Sequence, residues 1–482
     1  MKDKKFKLYF YICATMFFVL LAVILYYSFG YKYDIDDGKT VQVGAVIVKT
    51  EPRKSDIYLN EKLFKNGILG NLFNDYIKIE NLNPETYNVK IRKDNHFTWE
   101  KNISVEGGYI TKFKNVVLLK NSYEEIILLK DLAIDLSLKL NEKNIWVNNR
   151  KSKIAYQKIN KGKLNIFIFD PRDKKEELIT NRILPPKEYG DYYFDNIIWS
   201  ENDTKIIFKV SSINDNSKYS WCLIDFENNN KTYKLDSILK QKKEIANKQD
   251  FYFGESLFYL ENNALYKFNY DKLVSKKILE NVASFSIIGN DIYYFKIDDK
   301  NLYSANYTKL NGIKNILIMP DNFNSNLPSK IIKSNKNSYL VLSKSGNLYF
   351  VNENNKIIFI NSFIENAHFS NGDKRIIYNN DHEIWIYYIY EKISQPSKKE
   401  HTNELITRYS GEISNIFLYK DNEHLFYKEG KVFKFIELDN RDKVNVFNIL
   451  ELENDDILYS RDDNSIYYLK NNKLVQIELM AN

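Results

Sequence analysis

Ile198-Trp-Ser-Glu-Asn-Asp-Thr-Lys-Ile-Ile-Phe208, followed by Trp221-Cys-Leu-Ile224, holds an apolar-aromatic strand, Ile206–Phe208, and after a polar interval a second one, Trp221–Ile224. The same unit recurs through residues 144–482: an apolar-aromatic strand, a turn of Asn, Asp, Lys or Gly, and a second aromatic strand. Its first strands are Ile154–Tyr156, Ile206–Phe208, Leu257–Tyr259, Ile292–Phe295, Tyr339–Leu342, Ile376–Tyr378, His424–Tyr427 and Ile457–Tyr459. Their partners are Asn165–Phe169, Trp221–Ile224, Ala264–Phe268, Asn301–Tyr303, Asn347–Phe350, Ile384–Tyr387, Lys431–Phe435 and Ile466–Leu469. The copies begin roughly 43 residues apart, the period of a four-stranded propeller blade. One such sheet, apolar on both faces, is unstable alone; radial stacking buries both faces and shields the edges. The 37 Tyr and 30 Phe then serve as packing material. The expected class is all-β, with a seven- or eight-bladed β-propeller over 144–482.

Two copies carry more than the period. Ile198–Phe208, through Trp199, Ser200, Ile206 and Phe208, resembles the TolB-type propeller repeat W-S-p-D-G-k-x-I-x-F. So does Ala367–Tyr378, through Phe369, Ser370, Gly372, Asp373, Ile376 and Tyr378, while Val147–Tyr156 is a fainter version and the others lack the Ser-x-x-Gly turn. The resemblance implies a WD40-like propeller. Residues 121–143 form a linker or supply the strand that closes the ring, from Glu124–Leu129 or Ala133–Leu138. Three stretches break the period: Thr180–Asn196, Asp236–Asp250, which opens with a helix-capping residue, and Glu391–Tyr409. Each is either a binding loop or a tolerated surface insertion.

At the other end, residues 8–29 are uncharged, with Leu8, Phe10, Ile12, Phe17, Phe18, Leu20, Leu21, Val23, Ile24 and Leu25 as the apolar body. As a helix this run is roughly 33 Å long, enough for a hydrocarbon layer of about 30 Å. Tyr9 and Tyr11 mark one interface and Tyr26, Tyr27 and Tyr31 the other. Lys2, Lys4, Lys5 and Lys7 precede it and Asp34, Asp36 and Asp37 follow, so the positive-inside rule puts residues 1–7 in the cytoplasm and the rest outside. A cleaved leader needs a shorter apolar region and small residues before the cut, which Tyr26-Tyr-Ser-Phe-Gly-Tyr31 does not offer. An uncleaved transmembrane anchor of the cell membrane, with a linker at 30–40, is the expectation. Cys13 falls inside this run and Cys222 far from it, so no disulfide is expected.

Between anchor and propeller, residues 41–120 alternate in short period-2 segments: Val41–Thr50, Asp56–Asn60, Tyr76–Glu80, Tyr87–Arg92 and Tyr109–Phe113. Turns at Asn66-Gly67, Asn83-Pro84 and Gly107-Gly108 separate them, which predicts a small β-sandwich. A strand ending in Thr50-Glu-Pro52, then Asp-Ile-Tyr-Leu-Asn60, Leu82-Asn-Pro-Glu-Thr-Tyr-Asn-Val89 and Val105-Glu-Gly-Gly108 resembles the PEGA domain. Pro52-Arg-Lys-Ser55 stands where that family has Pro-Glu-Gly-Ala, and Thr86 replaces a turn glycine. The resemblance implies an extracytoplasmic adhesion or spacer module without catalytic residues.

Chemistry-bearing motifs are scarce. The five histidines, His96, His368, His382, His401 and His424, show no metal-ligand spacing, and no metal or cofactor is expected. There is no G-x-S-x-G elbow and no phosphate-binding glycine loop. The acidic turns Asp298-Asp299, Asp455-Asp456 and Asp462-Asp463-Asn464 lack calcium-loop spacing. The net charge of +7 is concentrated partly in the N-terminal lysines, leaving no basic stripe for nucleic acid. The chain thus reads as a non-catalytic, membrane-anchored binding or scaffold protein of the cell envelope, with a protein or glycan partner on the propeller. Two alternatives stay open: an envelope enzyme using carboxylates about 5–9 Å apart at the propeller channel, and a TolB-like subunit of an envelope complex.

Overall fold

The computed structural model describes residues 2–34, 38–64, 76–130, 145–148, 152–160, 163–171, 173–180, 192–215, 217–235, 251–270, 272, 274–309, 312–326, 329–452 and 456–480. The protein is strand-rich. Helix α1 spans Lys2–Ser28, and its stretch Tyr9–Ser28 is apolar all round and wholly unburied, long and apolar enough to cross a membrane. Phe10, Ile12, Phe17, Phe18, Leu20, Leu21, Val23, Ile24 and Leu25 are all exposed on it.

The helix ends at Gly30, whose φ of 77° is the left-handed stop that favours glycine. Where a linker was expected, Tyr31–Asp34 pairs antiparallel with Lys39–Gln42, joining Tyr31 to Gln42 and Asp34 to Lys39. Two sheets follow around one core. In the first, Gly44–Glu51 lies between Ile77–Leu82, antiparallel, and Ile110–Val117, parallel. The second is ordered Lys62–Phe64, Asp56–Leu59, Thr86–Arg92, Trp99–Ser104. Val46, Val48, Ile57, Ile79, Val89, Ile91, Trp99, Ile103 and Phe113 meet between them. Each buried aliphatic or aromatic side chain contributes about 1.5–3 kcal/mol. The turn read at Asn66-Gly67 lies outside the described residues.

The remaining described strands form eight four-stranded antiparallel sheets, spanning 145–178, 192–234, 251–279, 282–318, 329–361, 366–408, 413–451 and 457–478 with 126–129. All eight hairpins read from the sequence are paired, for example Ile206 with Ile224 and Ile457 with Tyr468. First strands are innermost: Ile145–Val147 lies against Tyr192–Trp199, and Val282–Ile288 against Ser329–Lys333. Fourth strands, such as Lys175–Leu178 and Val274–Leu279, are largely exposed.

Each sheet shares a core with the next. Phe194 and Phe208 pack with Ile166 and Ile168 between the first and second sheets, and Phe426 and Phe433 with Tyr459 and Ile466 between the seventh and eighth. The circuit closes, because Leu129, Tyr467 and Leu469 of the eighth sheet share a core with Ile145, Tyr156 and Phe167 of the first. The architecture is that of a β-propeller. Its closing strand is Ile126–Leu129, paired with Lys473–Glu478; the alternative, Ala133–Leu138, lies outside the described residues.

The insertions resolve unevenly. Residues 181–191 and the expected helix at Asp236–Asp250 lie outside the described residues, while Tyr192–Asn196 belongs to a first strand. The third is shorter than expected, since Asn403–Arg408 is the sixth sheet's fourth strand. What remains, 391–402, docks onto the sandwich.

Candidate functional site

The repeat residues prove to be clasps. The Ser200 amide donates to the Lys205 carbonyl, while Ser200 Oγ accepts from the amides of Thr204 and Lys205 at 3.1 and 2.9 Å. Ser370 Oγ accepts likewise from the Arg375 amide at 3.1 Å, and Gly372 and Asp373 take positive φ in the same turn. Trp199 Nε1 donates to the Trp146 carbonyl of the first sheet, and Asp373 accepts from the Asn335 amide of the fifth, both at 2.8 Å. Ile206, Phe208, Ile376 and Tyr378 are buried between sheets, and Phe369 packs partly buried beside them. Asn148 Oδ1 accepts from the Ser152 and Lys153 amides, and Ser334 Oγ from the Ser338 amide, so a like side-chain clasp recurs in the first and fifth sheets.

The most elaborated polar assembly joins sandwich to propeller. Strand Trp99–Ser104 points Trp99, Lys101 and Ile103 to one face. Trp99 and Ile103 enter the sandwich core, but Lys101, 0% exposed, reaches past it to the seventh sheet. Its ammonium lies 2.8 Å from Glu437 Oε1 and donates to the carbonyls of Asp439, Arg441 and Lys443 at 2.6, 2.9 and 2.6 Å. Glu437 also accepts from Trp99 Nε1 at 2.8 Å and from the amide and Nδ2 of Asn445, both at 2.7 Å. Each polar atom in this buried network thus has a partner, the condition under which a buried ion pair is tolerated.

Around it, Arg441 stacks over Phe113 at 3.9 Å, donates to the Lys112 carbonyl and pairs with Asp439. Burial alone would raise the Asp439 carboxyl, but hydrogen bonding and charge from Arg441, with Lys101 beyond, hold it below the usual range. Gln395 of the 391–402 loop accepts from the Lys112 amide at 2.6 Å and donates to the Ile110 carbonyl at 3.0 Å. Lys420 pairs with Glu51 at 2.6 Å, and Phe97 stacks on Phe447 at 5.0 Å. A cavity of about 20 Å³ among Trp99, Phe113, Gln395, Glu423 and Glu437 has space for one water, not for a ligand. The chain leaving the sandwich continues the weld, burying Val117 and Leu119 in the core between the seventh and eighth sheets.

Sequence reading missed this joint. Its signal was Lys101 in the otherwise apolar inward register of its strand, Trp99-x-Lys-x-Ile103.

A second polar group lies on one rim. Glu365 and Glu412 immediately precede the innermost strands of the sixth and seventh sheets, and Asp381 occupies the intervening hairpin turn. Partial desolvation, a hydrogen bond that protonated Glu365 donates to Asp381, and the charges of Asp381 and Glu412 push Glu365 up to about 7, opposed by His382. Such a carboxyl holds its proton near neutrality.

The histidines serve the fold where their bonds are defined. His424 is buried, stacked on Phe435 and 2.7 Å from Asp421; His401 meets the Tyr387 hydroxyl at 2.8 Å. Asp298 accepts from Asn326, and Asp299 from Asn301 and Tyr303, which occupies those acidic turns internally. Among the described residues, no three His, Cys, Asp or Glu side chains are grouped to hold a metal. Cys222 is buried and Cys13 lies exposed on α1.

No protein-family model matches this chain, and no curated protein matches it. Among solved structures it is similar to the Dos1 propeller, with a TM-score of 0.43 and 11% identity over 76% of this chain and 96% of that one. It is likewise similar to the β-propeller domain of Myceliophteria thermophila Cps50 (Swd1), with a TM-score of 0.37 and 10% identity over 74% of this chain and 100% of that one. An oligogalacturonate lyase in complex with manganese matches at a TM-score of 0.37 and 10% identity, over 74% and 98%. The likeness is one of architecture alone.

Proposed function

We propose that this protein is a non-catalytic, single-pass scaffold of the cell envelope, in which α1 anchors a PEGA-like sandwich and an eight-bladed, TolB-like propeller outside the cytoplasmic membrane. The observation that carries the reading is the Lys101 joint. Desolvating a lysine costs several kcal/mol unless its partners are prearranged, so the joint is stable at one relative orientation of sandwich and propeller. A rigid arm of this kind presents a propeller surface to a protein or glycan partner at a set distance from its anchor. Hydrogen bonds between the end of α1 and the hairpin that follows favour an anchor that stays attached over a cleaved leader.

The test is topology together with partner capture. In intact cells, an impermeant maleimide should label a cysteine placed at exposed Asn354 in a Cys13→Ala background; labelling confined to lysed cells would reverse the orientation. Photo-crosslinkers on the propeller rims should then trap a reproducible partner, and uniform failure across both rims would reduce the protein to a spacer.

The enzyme reading draws on one observation, the proton held by Glu365. Its hydrogen-bonded contact with Asp381 is closer than the roughly 5–9.5 Å between glycosidase carboxylates, so these two do not form that pair.

A further inference from the structure

We infer that the sandwich is seated in the outer membrane interface, its Glu106–Tyr109 loop and the Tyr31–Gln42 hairpin extending the aromatic belt of α1. The inference rests on the anchor reading above.

Its first support is the absence of slack between helix and sandwich. The Gly30 carbonyl accepts from the Val43 amide at 2.8 Å, and the Val43 carbonyl accepts from the Gly108 amide at 3.0 Å. Two residues on from Val43, the Ala45 amide donates to the Tyr109 carbonyl at 3.1 Å. The Gln42 side chain donates to the Phe29 carbonyl at 3.0 Å, covering one of the acceptors left open at the helix end. Tyr26 donates to Thr40 and stacks on Tyr31 at 5.6 Å.

Gly107 and Gly108 close around that clasp. A Cβ at Gly107 would come within 2.6 Å of the Gln42 carbonyl oxygen; one at Gly108, whose φ is 75°, within 2.7 Å of Gln42 Nε2. The loop therefore lies against the residue that caps the helix. Whatever depth the end of α1 takes in a bilayer, this loop takes a neighbouring one.

The second support is what these segments expose. Tyr27, Phe29, Tyr33 and Tyr109 are 65, 64, 56 and 68% exposed, and Tyr31 is exposed as well. Several large rings left uncovered on segments that are hydrogen-bonded to one another are unfavourable in water. A tyrosine ring with an apolar body and a polar tip suits the headgroup layer, where such residues form belts. Charge does not supply the attraction, because Lys32 and Lys39 on the hairpin are offset by Glu106 on the loop and the Asp34–Asp37 run. The partner is the bilayer interface itself, reached by continuity with the membrane-crossing helix.

The test uses the full chain in lipid nanodiscs, Cys13→Ala with buried Cys222 retained, and one added cysteine at exposed position 18, 33, 109 or 354 carrying an environment-sensitive fluorophore. Shallow nitroxide lipids should quench labels at 33 and 109 severalfold more than the label at 354, with blue-shifted emission, while deep nitroxides quench position 18. Deep quenching at 18 with position 109 behaving like 354 would overturn the seated sandwich and leave the anchor intact. Loss of quenching at 18 would overturn the anchor, and the inference with it.

Discussion

Lys101 of the sandwich and Glu437 of the propeller meet at 2.8 Å with both side chains almost wholly buried, and three backbone carbonyls of the 439–443 loop complete the ammonium's shell. Lys101→Met strands the Glu437 charge and those carbonyls together, and removing one partner of a buried pair costs about 3–5 kcal/mol. The expected result in chemical denaturation is an earlier transition, with sandwich and propeller losing structure separately. Adding Glu437→Gln, which removes the stranded charge and keeps one acceptor oxygen for Asn445 while giving up the one Trp99 uses, should recover part of the loss; a double variant as unstable as the sum would contradict the pairing.

The propeller is closed by a strand from the other end of its own chain segment. Leu129 is buried against Leu474 and the first sheet, so Leu129→Ala removes packing at the seam, with an expected cost of about 2–5 kcal/mol. Protease sensitivity should rise first in the first and eighth sheets. Nicking that starts instead at the sixth sheet would argue against closure here.

Glu365 gives stability a pH dependence of definite sign. Its pKa rises from 4.5 to about 7 on folding, so across that interval the folded protein holds a proton that the unfolded chain has lost. Stability therefore falls as pH rises through it and is level above. Glu365→Gln removes this slope, raising Tm relative to the parent at pH 8 and not at pH 4. Because Glu365 is only partly desolvated and still open to solvent, screening keeps the effect below about 1 kcal/mol. An unchanged pH profile would place the proton elsewhere.

Cys222 lies 3% exposed between the first and second sheets. It should resist maleimide in the native protein and react on unfolding, which makes it a reporter of propeller opening and unsuitable for topology. Native-state labelling at the rate of a surface cysteine would contradict its placement.

Gln42 ties α1 to the sandwich through the Phe29 carbonyl. Gln42→Ala should leave the sandwich folded, since its core at Val46, Val48 and Trp99 is untouched, yet increase the mobility of a spin label at 109 in nanodiscs. Unchanged mobility would show that the backbone bonds at Gly30 and Val43 suffice.

The eight hairpins and the apolar run of α1 were legible in the sequence, because strand alternation and helix length are written in neighbouring residues. Ser200 and Ser370 could be read as turn formers for the same reason, whereas Asn148 and Ser334 do that work under a different signature. The acid pair escaped notice, since Glu365 and Asp381 become neighbours through a sheet rather than through spacing.

By itself, then, the sequence determined the strand units, their roughly 43-residue period and the apolar segment, all local consequences of side-chain patterning. The tertiary structure alone decided which strand closes the ring, that 30–40 is a hairpin clasped to the helix, and that Trp99 and Glu437, 338 positions apart, share a hydrogen bond. The physical reason is that a buried charge such as Lys101 is stable where a folded surface has already gathered its acceptors, and no local pattern records that gathering.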